Sequence, residues 1–310
     1  MPYPSPEILS WLLAGDPSIQ WQVERDIMSE NPKVYERTRA EMIKKGWGKR
    51  LLAKQDPDSG WGNGLYSPKW ISTHYTLICL ARLGLPQTNP QARSGCQYYL
   101  DNTFYEPDGG INISASYNYS ETCVTGMTLN FLSYFKLPDP RLERLVDHLL
   151  IQQMADGGWN CESFKGATHS SFHTTISVLE GLLSFQQNAR NDPRITPARL
   201  RAHEFLLQHK LFKSHRTGEV VNPRMTRFPF PPRWFYDILR ALDYFQMANA
   251  AHDDRFLDAI MLLQKKQNKD LTWNQYRGPS GRTYFDFEEA GKPGRMNTLR
   301  VYRVLNWWTR

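Results

Sequence analysis

Apolar positions recur along this chain at helical spacing, and they recur in copies. Ser72-Thr73-His74-Tyr75-Thr76, Glu121-Thr122-Cys123-Val124-Thr125 and Ser171-Phe172-His173-Thr174-Thr175 each open an apolar run, with Leu80, Leu129 or Leu179 six residues after the central His or Cys. The copies stand about 50 residues apart. The frame returns at Arg233, which opens Trp234-Phe235-Tyr236-Asp237-Ile238-Leu239. It returns again at Met296-Asn297-Thr298, and a sixth, worn copy runs from Asp16 to Ser29. Before these helices lie partners ending in paired leucines and a Gln: Leu51-Leu52 with Gln55, Leu149-Leu150 with Gln153, Leu206-Leu207 with Gln208, and Leu262-Leu263 with Gln264.

The joints have constrained chemistry. Asp58-Ser59-Gly60-Trp61, Asp108-Gly109-Gly110-Ile111 and Asp156-Gly157-Gly158-Trp159 put Gly where positive φ is needed and Asp where a carboxylate can bind nearby N–H groups. Gln55, Gln153 and Gln267 each precede a Trp by six residues (Trp61, Trp159 and Trp273), which predicts an amide and an indole stacked at each joint. A helix pair of this kind cannot bury both apolar faces alone, so the pairs must stack. Six pairs predict an all-α, α6/α6 toroid. No linker interrupts the period, so residues 1–310 are expected to form one domain, with inner helices starting near 20, 72, 121, 171, 233 and 296 at one mouth of the ring.

Composition changes this picture little. Hydrophobic residues are 40% and aromatics 13%, enough for a large core and an aromatic-lined cavity. The net charge of +7 comes from scattered Lys and Arg rather than from blocks, so a solvated basic surface is expected and nucleic-acid binding is not; an anionic substrate is compatible with it. No charged start with a short apolar core and no apolar run of membrane-spanning length is present, which predicts a cytoplasmic protein without a membrane span. Cys79, Cys96, Cys123 and Cys161 lack the spacing of a metal finger and are expected as reduced thiols. Only Cys123 stands at a repeat position, and Cys79 falls on a core-facing step.

These Asp-Gly-Gly turns and Gln/Trp repeats resemble the superfamily of terpenoid cyclases and protein prenyltransferase β subunits, and the resemblance implies the toroid. The site region is most similar to protein geranylgeranyltransferase β subunits. In them an Asp and a Cys two residues apart, and a His in a Phe-His-Thr context about fifty residues later, hold zinc. By that resemblance Glu121, Cys123 and His173 are the zinc ligands here. Glu121 replaces the Asp, Ala115 and Asn118 occupy the places of diphosphate-gripping basic residues, and Val124 replaces a Tyr. The Asp-x-Asp-Asp acid of squalene-protonating cyclases has no counterpart, since Asp253-Asp254 lacks the first Asp.

Thiolate, imidazole and carboxylate suit zinc, and three ligands with an open fourth position is the catalytic arrangement. Residues two apart on a helix diverge, so Glu121 must lie at or before the N-cap to join Cys123. The same residues also suit a metal-free role: Glu121 as a first-turn carboxylate, Cys123 as a half-buried thiol, His173 as a hydrogen-bonded core histidine. His74 is a candidate fourth ligand or proton shuttle, or a residue packed on Trp70. His169 is a candidate general acid or base over the mouth, or an exposed loop histidine. Arg233 is a candidate anion contact, or an ion-pair partner of Asp237 on one helix face.

Trp70, Trp159, Trp234, Tyr236 and Asp237 are expected to line a substrate site, with Arg295, Asn297 and Arg300 as its polar wall. The segment from Pro223 to Pro232 is expected as a rim or lid, or as packing onto outer helices. Two functions fit: a zinc-dependent toroid enzyme acting on a small anionic or isoprenoid-like molecule, or a metal-free carbohydrate-active or sugar-binding toroid. A small-molecule partner is common to both, and a second subunit is left open.

Overall fold

The computed structural model describes residues 3–114 and 116–310; Ala115 lies outside them. The described chain is all-α. Its helices are α1 (Pro6–Leu13), α2 (Pro17–Asp26), α3 (Pro32–Ala40), α4 (Gly46–Leu52), α5 (Thr73–Leu83), α6 (Pro90–Thr103), α7 (Thr122–Tyr134), α8 (Arg141–Ile151), α9 (Phe172–Asn188), α10 (Ile195–Gln208), α11 (Ile238–Met247), α12 (Leu257–Lys265) and α13 (Arg295–Trp308). The strands among described residues are one antiparallel pair, β1 (Phe104–Tyr105) and β2 (Gly110–Ile111). Several helix starts combine a side-chain cap with Pro in the first turn: Asp16 accepts from Ser18 N–H at 2.9 Å and Asn89 from Ala92 N–H at 3.0 Å. No described helix is long and apolar enough to cross a membrane.

Two compact units make up the chain. One comprises Lys54–Arg82 and Gln87–Leu207; the other comprises Met1–Ala53, Leu83–Pro86 and Gln208–Arg310. In the 54–207 unit, α7 and α9 are buried on nearly every face, whereas α8 buries Leu142, Leu145, Val146 and Leu149 and exposes Ile151. That difference is the inner and outer layering the repeat predicts. Backbone approach draws α7 and α9 together: a Cβ on Gly126 would lie 2.7 Å from Val178 Cα, and one on Gly181 only 2.3 Å from the Gly126 carbonyl oxygen. Only glycine permits this, and it brings the two helix starts side by side.

The repeated threonines are structural. Thr125 Oγ1 accepts from Ile111 N–H at 3.0 Å, Thr175 Oγ1 from Trp159 N–H at 3.0 Å, and, in the other unit, Thr298 Oγ1 from Trp273 N–H at 3.0 Å. Each staples the residue after the turn onto the following inner helix, satisfying a buried donor. In the first copy the same bond, Trp61 N–H to Thr73 Oγ1 at 2.9 Å, uses Thr73 and not Thr76. The register there is shifted by three residues, because α5 begins only at Thr73 after a turn in which Ser72 N–H reaches the Pro68 carbonyl at 3.1 Å. By this alignment Ile71, not His74, is equivalent to Cys123 and His173.

At the joints the Gln amides and Trp indoles bind backbone carbonyls. Gln153 Nε2 donates to the carbonyls of Gly157 (2.6 Å) and Ala198 (2.8 Å), and Gln55 Nε2 to those of Ser59 and Gln91, both at 2.9 Å. Each amide thus ties its turn to the next helix. The indoles of Trp159 and Trp273 donate to Leu149 and Leu263 carbonyls, both at 2.7 Å.

In the unit containing α11 and α13, the fourth copy departs from expectation. Arg233 does not open a helix: it lies in a loop at φ 57°, and α11 starts at Ile238, capped by Asp237, which accepts from Arg240 N–H at 2.8 Å. The preceding segment is packed rather than overhanging. Phe228 and Phe230 are buried, Asn297 Nδ2 donates to the Phe228 carbonyl at 2.6 Å, and Gln275 Nε2 to the Phe230 carbonyl at 2.8 Å.

Candidate functional site

Glu121 is the N-cap residue of α7, at φ −86° and ψ 113°, yet its side chain does not cap the helix. The helix is instead tied down through its backbone: Glu121 N–H donates to the Ile111 carbonyl at 2.9 Å, and the Glu121 carbonyl accepts from Thr125 N–H at 2.8 Å. The carboxyl is therefore left for other work. Its half-burial pushes its pKa up, against smaller opposing effects of Lys69 and Lys165. Its charge in turn acts on Tyr66, Tyr99, Cys123 and Cys161.

Beside it stands an aromatic group from the segment before α5 and from α5, α6 and α7. Tyr75 donates its hydroxyl hydrogen to Tyr66 Oη at 2.7 Å, and the two rings are 5.1 Å apart. Trp70 meets Tyr75 edge-on at 4.7 Å. His74 lies among Tyr66, Tyr75, Tyr99 and Phe131 at 5.0–5.6 Å between centroids. Its Nδ1 is 3.0 Å from the Tyr99 hydroxyl, its Nε2 has no partner among described residues, and burial lowers its pKa to about 3. His74 is thus a neutral imidazole in an apolar shell rather than a rim group. Desolvation likewise raises the Tyr66 and Tyr75 phenols.

Cys123, at the second position of α7, and Cys161, in the loop before α9, act on one another. The interaction pushes the Cys123 thiol up and lowers Cys161 to about 6, with Thr174 assisting. Cys161 N–H also donates to Thr174 Oγ1 at 3.3 Å, which pins the loop to the first turn of α9. Both thiols are half-buried.

The expected zinc ligands do not assemble: no group of three or more His, Cys, Asp or Glu among the described residues is arranged to hold a metal ion. Glu121 and Cys123 do lie near one another, but the neighbour of Cys123 is Cys161, and His173 does not complete a ligand set with them. His173 sits half-buried in the first turn of α9, its carbonyl accepting from Ser177 Oγ at 2.9 Å. His169 is an exposed loop residue whose carbonyl accepts from Asn160 Nδ2 at 2.7 Å.

Most of the expected substrate wall serves the fold. Trp159 is fully buried at its joint. Tyr236 is buried and donates to the Leu211 carbonyl at 2.5 Å, Trp234 stacks on Phe235 at 3.8 Å, and Asp237 is a helix cap. Arg295 lies over Trp11 and donates to its carbonyl at 2.9 Å; Asn297 donates to the carbonyls of Phe228 and Asn274. Arg300 and Arg303 share Asp243, and Arg303 also reaches Asp26 at 3.0 Å. Arg233 is buried in its loop. Of these, the Arg300 Nη1 atom has no partner among described residues.

Two participants were missed in the sequence. Cys161 stands two residues past the turn Trp, at the place held by Asn63 and Ile113 in the earlier copies, and nothing in its spacing pairs it with Cys123. Tyr66 lies outside every repeated string. The available signal was positional: residues just after a turn Trp face the next helix start, as the Trp-to-Thr staple requires.

No protein-family model and no curated protein matches the chain. Among solved structures it is similar to a protein from Actinoplanes, at 17% identity over 96% of this chain and 91% of that one, with a TM-score of 0.49. It is also similar to the type II terpene cyclase MstE from Scytonema without ligand, at 16% identity over 94% of this chain and 88% of the other, TM-score 0.49. An arginine-to-alanine variant of that cyclase, in complex with its substrate geranylgeranyl dihydroxybenzoate, aligns at 15% identity over 95% and 88% of the two chains, with a TM-score of 0.48.

Proposed function

We propose that the protein is an enzyme that rearranges a small isoprenoid-like molecule by proton transfer, with Glu121 as the acid. The observation that supports this most is the state of Glu121: an N-cap residue whose carboxyl does not cap, whose burial favours the protonated form, and whose neighbours are aromatic rings. A carboxylic acid kept protonated by an apolar setting is suited to donating a proton.

In the proposed step a proton leaves the Glu121 carboxyl for one carbon of an alkene. The π electron pair forms the new C–H bond and leaves a cation on the neighbouring carbon. The faces of Tyr66, Trp70 and Tyr75 stabilise that cation by about 0.5–2 kcal/mol per ring. Loss of a proton from an adjacent carbon to the Glu121 carboxylate restores both an alkene and the acid, so the net change is isomerisation or ring closure. His74, neutral and enclosed, positions the Tyr66 and Tyr75 rings.

The test is turnover of a panel of acyclic isoprenoids, with and without a diphosphate, followed by product mass and retention. Glu121→Gln is expected to lose about 10²–10⁴-fold in rate. The rate should fall as pH rises through the raised Glu121 pKa, because the protonated acid is the active form. Unchanged turnover in Glu121→Gln would sink the proposal. Protein purified without added metal is expected to carry no stoichiometric zinc. One zinc per chain, lost in Cys123→Ser, would reassign Glu121 from acid to ligand.

A further inference from the structure

We infer that His209 and His215 form a surface site for a divalent, imidazole-seeking transition-metal ion of the Ni²⁺ and Zn²⁺ class, and that the ion clamps a hairpin to the end of α10. The inference is independent of Glu121 and of the proposed reaction. His215 Nδ1 lies 3.0 Å from His209 Nε2, and the two rings meet edge-on at 89° with centroids 4.7 Å apart. Metal–imidazole bonds of about 2.0–2.1 Å set two nitrogens about 2.9 Å apart at a right angle and about 3.4 Å apart at the tetrahedral angle. The observed separation falls between these, so the pair already has the bite of two ligands on one ion. Rotation of the exposed His215 ring turns both lone pairs to a common point. Imidazole suits these ions better than it suits Mg²⁺ or Ca²⁺, which take oxygen ligands.

The backbone holds the pair in place before any ion arrives. Lys213 N–H and Phe212 N–H both donate to the His209 carbonyl, at 2.7 and 2.9 Å, which closes a turn directly after α10. Val221 N–H then donates to the Phe212 carbonyl at 3.0 Å and Ser214 N–H to the Glu219 carbonyl at 2.8 Å, so a short hairpin carries His215 near its tip. Gly218, at φ 74°, makes the reversal. Lys210 and Lys213 reach Asp258 at 3.2 and 2.9 Å, and that carboxylate offsets their repulsion of a dication. In the free protein one of the two facing nitrogens carries a hydrogen. On binding, that hydrogen moves to the far nitrogen of the same ring, both facing nitrogens coordinate, and two waters leave the ion. Water keeps the remaining positions. With two protein ligands, and not the three of a catalytic zinc centre, the site loads and unloads with the free ion.

The test is calorimetric titration of the full chain with nickel chloride, chosen because Ni²⁺, unlike Cu²⁺, leaves the four free thiols reduced. One saturable equivalent per chain is expected. Affinity should fall by about tenfold or more in His209→Ala and in His215→Ala, and hold in His252→Ala, which removes an exposed histidine elsewhere. In the wild type, Ni²⁺ should shield His209 and His215 from diethyl pyrocarbonate, read by peptide mass spectrometry, so the result does not depend on a variant's folding. No saturable equivalent, equal affinity in the His209 and His215 variants, or shielding of other histidines alone would overturn the inference. An ion kept in His215→Ala but lost in Cys123→Ser would also overturn it, and would bear on Glu121 instead.

Discussion

His74 shows how far one side chain can differ from its sequence context. A Ser-Thr-His-Tyr-Thr string at a helix start suggests a polar mouth, but the imidazole is enclosed by four rings and is neutral. Its pKa falls from 6.5 to about 3 on folding through desolvation, so the unfolded chain binds the proton more readily. Stability from this group is therefore complete above about pH 6.5 and declines as pH falls from there toward 3. Between pH 7 and pH 5 the loss is about 2 kcal/mol, in a window above the titration of ordinary carboxylates. His203, also lowered to about 3 by burial, adds a similar loss over the same window. Urea unfolding at the two pH values should show the combined decline in the wild type and a decline smaller by about 2 kcal/mol in His74→Phe. An equal decline in both proteins would show that His74 accepts a proton without unfolding.

Among elements, α7 and α9 fix the site, because their closest approach is glycine on glycine. Gly181→Ala would force a Cβ against the Gly126 carbonyl, and neither atom sits on a flexible side chain that could give way. The expected cost is about 1–3 kcal/mol. The threonine staples make a second prediction: Thr175→Val strands the buried Trp159 N–H and should cost about 1–3 kcal/mol in chemical denaturation. A neutral Thr175→Val would show that the staple is incidental. Much of this level was legible in the sequence. Helix starts expected at 72, 121, 171 and 296 fall at Thr73, Thr122, Phe172 and Arg295. Where the reading failed, local chemistry had replaced the repeat: a Pro68-based turn shifts the threonine staple of α5 by three residues, from Thr76 to Thr73, and the packed run through Phe228 and Phe230 pushes α11 to Ile238. The site was legible at Glu121 and Cys123, which lie on repeat positions. Cys161 and Tyr66 lie on joining segments, whose side-chain directions follow from tertiary contacts and not from period.

For the whole molecule, the unbroken repeat supports the proposal that residues 1–310 behave as one domain, and the division of the chain into units offers a way to test it. Neither unit follows the chain continuously: it passes between them after residues 53, 82, 86 and 207. The Leu83–Pro86 segment belongs with α2 and α3, where Trp21 Nε1 donates to the Leu83 carbonyl at 3.1 Å and Arg39 Nε to the Gly84 carbonyl at 2.7 Å. A piece cut at 54 and 207 would carry that segment without these donors, leaving carbonyls that are bonded in the intact chain to find water instead. The intact protein is therefore expected to unfold in a single calorimetric transition whose van't Hoff and calorimetric enthalpies agree. The excised 54–207 chain is expected to lack a cooperative transition of its own. Two resolved transitions in the full chain, or a cooperative fold in the excised piece, would make the units separate domains and end the one-domain proposal.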